Sequence, residues 1–161
     1  MGVWKNINFD CQTIIDGLEA WVNGESPTWD AEAVNQMMDL AAIKCADLGA
    51  TIERIPGSMG FGGSLRARFP HSKIGKPGIM VSGHFDTVHP VGTLSKNPFR
   101  QENGKVYGPG IQDMKGGNYI TLEELFRNSV GPQAKADELQ ATNFGAASVL
   151  TQPCLLYTSP S

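Results

Sequence analysis

The chain has 161 residues, 40% apolar and 18% charged, which is the composition of one soluble domain with a buried core rather than of a disordered segment. Thirteen basic residues against sixteen acidic ones leave a net charge of −3, so the basic footprint that a nucleic-acid partner demands is missing. No apolar run approaches the ~20 residues that span a bilayer. The opening MGVWKNINFD has no secretory h-region, so the chain reads as cytoplasmic, with no membrane partner.

Ile14, Ile15, Leu18, Trp21 and Val22 recur at helical spacing and Asn23-Gly24 supplies a stop, which predicts an amphipathic helix from about residue 8 to 23. Glu25-Ser26-Pro27-Thr28 links it to a second apolar stripe: Val34, Met38, Ala41, Ala42, Cys45 and Leu48. Thr28 or Asp30 is the N-cap of that second helix, and Gly49 stands just past its end. Residues 51–55 and 64–69 read as strands joined by a glycine-rich loop. In the second, Leu65, Ala67 and Phe69 alternate with Arg66 and Arg68, so one face is wet. The short apolar run Ile79-Met80-Val81, within Gly78 to Ser82, suits an interior strand covered on both faces. Val106-Tyr107 is a brief strand, and a third helix is expected from about Lys115 to Asn128, with Glu123-Glu124 on its solvated face. From Leu139 to Ser161 there is no charged residue and no periodicity, which predicts a tail that packs poorly and is mobile. The order of elements predicts an α/β fold, a layered domain with a mixed central sheet flanked by helices.

Cys11, Cys45 and Cys154 are odd in number and lack CxxC spacing, so neither a disulfide framework nor a thiolate zinc site is encoded. Any metal must therefore be held by nitrogen and oxygen. The densest polar stretch is Gly83-His84-Phe85-Asp86-Thr87, directly after an apolar strand. In extended chain the side-chain period is two, which puts His84 and Asp86 on one side and Phe85 on the other. A carboxylate there can accept the far N–H of a metal-ligating imidazole and fix its tautomer. A hydrogen-bonded turn pair accounts for the same two residues. Gly108-Pro109-Gly110-Ile111-Gln112-Asp113-Met114-Lys115-Gly116-Gly117 is the second such stretch. An N-cap role accounts for Asp113, but Lys115 opposes the helix dipole at a helix start and the two glycines oppose helix propensity. Local rules broken in this way are expected at functional sites. Neither GxGxxG nor GxxxxGK is present, so a nucleotide site is unsupported, and His71 and His89 read as solvated loop residues.

With these residues in view, His84-Phe85-Asp86-Thr87-Val88, Pro98-Phe99 and Tyr107 through Gly117 resemble the zinc-dependent aminoacylase/carboxypeptidase family of metallopeptidases. That family includes glutamate carboxypeptidase, acetylornithine deacetylase and succinyl-diaminopimelate desuccinylase, and Glu25-Ser26-Pro27-Thr28 between two helices extends the likeness. The resemblance implies two zinc ions bridged by a carboxylate and a water or hydroxide. His84 would be a terminal ligand, Asp113 the bridging carboxylate and Asp86 the residue that orients His84. It also implies amide hydrolysis in a C-terminal-glutamate peptide or an N-acyl amino acid, with deacylation of a small biosynthetic amide as the alternative.

The family takes its remaining ligands and its glutamate base from beyond the third helix. After Asp113 this chain has no histidine, and its only acids there are Glu123, Glu124, Asp137 and Glu138, none in the family's context. Nothing corresponds to the family's second, dimerising domain, and the end from Cys154 to Ser161 looks like translated sequencing-adaptor read-through. The expectation is therefore the N-terminal part of a catalytic domain, residues 8–130, followed by a poorly ordered tail over 139–161. The full-length parent would be the homodimeric hydrolase. The chain itself would be inactive, and an inert α/β fragment is the competing reading.

Overall fold

In the computed structural model, which describes residues 10–69, 80–123 and 148–151, the described chain begins with two helices. Helix α1, Cys11–Asn23, starts where Asp10 accepts the Thr13 amide at 3.2 Å and ends where the Gly24 N–H returns to the Ala20 carbonyl. Its stripe of Ile14, Leu18, Trp21 and Val22 is buried as expected. Helix α2, Ala31–Asp47, is capped by Asp30 rather than Thr28, with the Ala33 amide at 3.0 Å. It buries Val34, Met37, Met38, Ala41 and Cys45. Burial pushes the Cys45 thiol up to about 12, so this cysteine is an apolar filler and not a nucleophile.

The strands are β1 (Thr51–Ile55), β2 (Ser64–Arg68), β3 (Met80–Gly83), β4 (Arg100–Glu102), β5 (Lys105–Tyr107) and β6 (Ser148–Thr151), with helix α3 at Gly116–Ile120. Strands β1 and β2 pair antiparallel, and the alternation in β2 sorts its faces as predicted. Leu65 and Ala67 are buried under α2, while Arg66 and Arg68 both donate to Glu53 on β1 at 3.0 Å. The larger sheet runs β1-β2-β6-β3, with β6 antiparallel to β2 and parallel to β3. A mixed sheet flanked by helices is the α/β architecture expected.

Three details depart from expectation. Strand β3 is not interior: among the described residues it has a neighbour on one side only, and Met80 is 68% exposed. A strand stands at Ser148–Thr151, in a stretch to which the sequence assigned no element; the rest of 139–161 lies outside the described residues. Arg100–Glu102 pairs with Lys105–Tyr107 through Asn103 (φ 53°) and Gly104 (φ 71°), both left-handed. An Asn-Gly pair is the sequence signal for such a hairpin. The third helix is described to Glu123, and its expected continuation to Asn128 lies outside the described residues. Among the described residues no helix is long and apolar enough to cross a membrane.

Candidate metal centre

Strand β3 delivers His84 at its carboxyl end, the edge at which open α/β sheets place their sites. Strand β6 is parallel to it and ends in register, Thr151 beside Gly83. The alternation predicted beyond β3 is realised. Phe85 is buried in the core, edge-on to Trp21 at 4.8 Å between ring centres, while His84 and Asp86 share the opposite side.

His84 Nδ1 lies 3.0 Å from the Asp86 carbonyl and 3.3 Å from Asp86 Oδ1, and Nε2 lies 2.9 Å from Asp113 Oδ1. The Asp86 carboxylate foremost, and then that of Asp113, hold the imidazole at a pKa of about 9 against the opposing effect of burial. Asp86 is 1% exposed; the Asp113 side chain is 81% exposed at the rim. No side chain caps α3, and Asp113 itself has non-helical φ/ψ, so the N-cap reading of Asp113 gives way to its contact with His84.

The link Glu25-Ser26-Pro27-Thr28 is sewn onto this segment. The Thr87 amide donates to Ser26 O at 2.7 Å and the Thr28 amide to Thr87 O at 3.0 Å, a short parallel bridge. Ser26 Oγ donates to Phe85 O at 2.7 Å, and Thr28 Oγ1 to Asp86 Oδ2 at 2.6 Å. From the other side, Asn118 Nδ2 on α3 donates to His84 O at 2.6 Å. The sequence does not single out Asn118, whose one signal there is its place just after Gly116-Gly117, and it presents Thr28 as a candidate N-cap and as part of the Glu25–Thr28 link, not as a partner of Asp86.

Lys115 resolves the anomaly at the start of α3. Its side chain is buried and Nζ donates to Trp21 O at 3.0 Å and Gly24 O at 2.7 Å, so a cation that opposes one helix dipole satisfies the carbonyl end of another, α1. Burial draws its pKa down to about 8 against the pull of Glu25 and Asp86. Two glycines of the stretch have steric reasons, whereas a Cβ on Gly117 would meet only Met114 Cε at 3.9 Å, an ordinary contact. Gly110 has φ 74°, and a Cβ there would meet Thr87 Cγ2 at 2.6 Å; a Cβ on Gly116 would meet Ile111 O at 2.6 Å.

Glu25 holds the loop after the HxD segment, accepting the Gly92 amide at 2.7 Å and the Leu94 amide at 2.9 Å. These bonds, that from Gly92 foremost, lower its pKa from 4.5. A carboxylate with a depressed folded pKa contributes stability that is present above 4.5 and lost as pH falls through the lower folded value. Hydrogen exchange at the Gly92 and Leu94 amides, corrected for intrinsic rates, is therefore expected to lose protection in that acid window in the native chain. The dependence should be absent in Glu25→Gln. Protection at these amides that does not change with pH would mean that the carboxylate does not secure the loop.

His84, Asp86 and Asp113 line one cleft of about 500 Å³, together with Ile111, Gln112 and His89. His89, expected as a solvated loop residue, is thus a half-buried wall of the cleft. Glu123, expected on a solvated face, is instead 3% exposed and paired with Lys44 of α2 and the Tyr119 hydroxyl of α3. His71, Glu124, Asp137, Glu138 and Cys154 lie outside the described residues.

Residues 80–135 match the family model of peptidase family M20/M25/M40. Over 113 residues, 70% of the chain, the sequence is 35% identical to carboxypeptidase G2 of Pseudomonas sp. (strain RS-16), covering 27% of that protein. Human carnosine dipeptidase 1 shares the fold with a TM-score of 0.66 at 20% identity, over 92% of this chain and 33% of that one. Aminopeptidase PepT from Bacillus cereus ATCC 10987 does so with a TM-score of 0.64 at 19% identity, over 88% of this chain and 36% of that one. The chain thus spans about a quarter of the curated relative and about a third of the solved ones. In sequence the chain resembles peptidase family M20/M25/M40 over residues 80–135, and over most of its length it shares a fold with the two solved peptidases.

Proposed function

We infer that the chain carries part of a metal-dependent amide-hydrolysing centre, with His84 and Asp113 as ligands and Asp86 orienting His84. The observation that carries this reading is the approach of His84 Nε2 to Asp113 Oδ1 at 2.9 Å within an open cleft. Two donor atoms bound to one tetrahedral zinc ion at ~2.0–2.1 Å lie about 3.3 Å apart, so this pair would take the ion by opening a few tenths of an ångström, and a nitrogen–oxygen donor set suits zinc. Zinc, when bound, supplies Lewis acidity toward a carbonyl and acidifies water. With the Nδ1 proton on the Asp86 side, Nε2, which faces Asp113, would be the nitrogen that gives up its proton to ligate.

The parent activity is hydrolysis of an amide in a C-terminal-glutamate peptide or N-acyl amino acid, with zinc as the cofactor. The carboxypeptidase, dipeptidase and aminopeptidase names of the similar proteins support peptide amides as the substrate class. The 161-residue chain by itself is the non-catalytic object. Among the described residues no group of three or more His, Cys, Asp or Glu side chains is placed to hold a metal ion, and the buried Glu123 is engaged by Lys44. Without a general base, a factor of typically 10²–10⁴ is lost even at an occupied site.

The test is to titrate purified chain with zinc by calorimetry and to assay N-acyl-glutamate and glutamyl-terminated peptide amides. Weak zinc binding that is lost in His84→Ala and Asp113→Asn, with no turnover, is expected. Zinc binding indifferent to both substitutions would remove the proposed centre. Chelator-sensitive turnover that vanishes in Asp113→Asn would overturn the statement that the chain alone is inactive.

A further inference from the structure

We propose that Thr28 is a positioning residue for His84, acting through Asp86 across 58 residues of sequence. The inference rests on the reading of His84 as a ligand and extends it to a segment that the ligand motifs do not include. The Thr28 hydroxyl donates to Asp86 Oδ2 at 2.6 Å in a buried setting, while the other oxygen of the same carboxylate, Oδ1, faces His84 Nδ1 at 3.3 Å. A carboxylate rotates about a broad, two-fold torsion, so one partner does not fix its plane. With Thr28 on Oδ2 and the imidazole on Oδ1, the plane is set from both ends.

The donor is itself fixed. The Thr28 amide is bonded to Thr87 O at 3.0 Å and the Ser26 carbonyl to the Thr87 amide at 2.7 Å, so the hydroxyl is presented from backbone pinned to the residue that follows Asp86. Ser26 Oγ on Phe85 O at 2.7 Å completes the clamp. The link between α1 and α2 therefore acts as the back wall of the site. Its chemistry is to keep the Asp86 carboxylate oriented, so that the Nδ1 proton of His84 stays on the Asp86 side and Nε2 remains the ligating nitrogen.

The experiment compares the native chain with Thr28→Val, which keeps the shape and removes the hydroxyl, and Thr28→Ser, which keeps the hydroxyl. The direct readout is the Nδ1 proton of His84 in ¹H–¹⁵N spectra of zinc-loaded chain labelled at histidine, read beside thermal melting and zinc affinity. An Nδ1 proton protected from solvent in native chain and Thr28→Ser is expected, with rapid exchange in Thr28→Val at nearly unchanged Tm. Zinc affinity is expected to fall about tenfold in Thr28→Val, the low end of what loss of an outer hydrogen-bond partner costs a metal site, and to recover in Thr28→Ser. An Nδ1 proton equally protected in Thr28→Val would overturn the proposal, as would equal loss in Thr28→Val and Thr28→Ser. If Thr28→Val does not fold, the Thr28→Ser spectrum decides alone: loss of protection there, with the hydroxyl present, overturns it. Zinc affinity indifferent to His84→Ala would instead sink the ligand reading, and the same proton, recorded in zinc-free chain, would still report on Thr28.

Discussion

Trp21→Ala is expected to destabilise the chain by about 3–5 kcal/mol, the range for truncating a large buried aromatic residue. Trp21 is 3% exposed and meets two rings edge-on, Phe85 and Tyr119, each at 4.8 Å between centres and nearly perpendicular. Such pairs add ~0.5–1.5 kcal/mol each beyond the area they bury. The three rings come from α1, from the segment carrying His84 and Asp86, and from α3, so the indole joins the elements that hold the site. At roughly 2–4 °C per kcal/mol for a chain of this size, thermal melting should fall by on the order of 10 °C. Trp29→Ala is the control. Trp29 is 81% exposed and touches only the Phe61 ring among aromatic partners described, so its loss should stay within about 0.5 kcal/mol. Comparable melting of the two variants would show that Trp21 does not hold these elements together.

Glu123→Ala should cost about 2–3 kcal/mol. Removing one partner of a fully buried ion pair costs ~3–5 kcal/mol, and the lower figure applies here because Lys44 keeps a wet side. Lys44 Nζ is paired with the Glu123 carboxylate and lies 4.9 Å from the centre of the Tyr119 ring, whose hydroxyl bonds to the same carboxylate at 3.2 Å. Burial pushes the Lys44 pKa down, but the hydrogen bonds to Glu123 and Tyr119 outweigh it and hold the group above its ordinary 10.5. A lysine with a raised folded pKa contributes stability that is fully present below 10.5 and lost as pH rises through the folded value. Denaturant titrations from neutral to strongly alkaline pH should therefore show a loss of stability above 10.5 in native chain that is reduced in Glu123→Gln. If Glu123→Ala melts like native chain, the Lys44–Glu123 pair does not contribute to stability.

That second prediction concerns a residue whose place the sequence misjudged, and the reason is instructive. Glu123 follows an apolar stripe on a helix read in isolation, where an acidic side chain belongs on the water side. Its partner Lys44 is 79 residues away, and a buried acid becomes tolerable only once a cation is brought to it. Lys115 shows the same relation from the opposite direction. Its conflict with the local helix dipole was visible in the sequence, whereas its acceptors, the last carbonyls of α1, lie as much as 94 residues away.

By itself the sequence determined what short-range rules govern. Apolar spacing gave α1 and α2, alternation gave the two faces of β2, and period two put His84 and Asp86 on one side with Phe85 in the core. The hairpin at Asn103-Gly104 obeys a short-range rule too, its turn needing only two residues able to adopt positive φ, but it was not among the elements expected. Only the tertiary structure decided what depends on chain topology. It set β6 between β2 and β3, left β3 at an edge among the described residues, carried Asp113 to the His84 ring and laid Thr28 behind Asp86. Backbone propensity and side-chain periodicity act over one or two turns of chain, whereas a hydrogen bond between residues 58 apart exists only after the core has fixed where each segment lies.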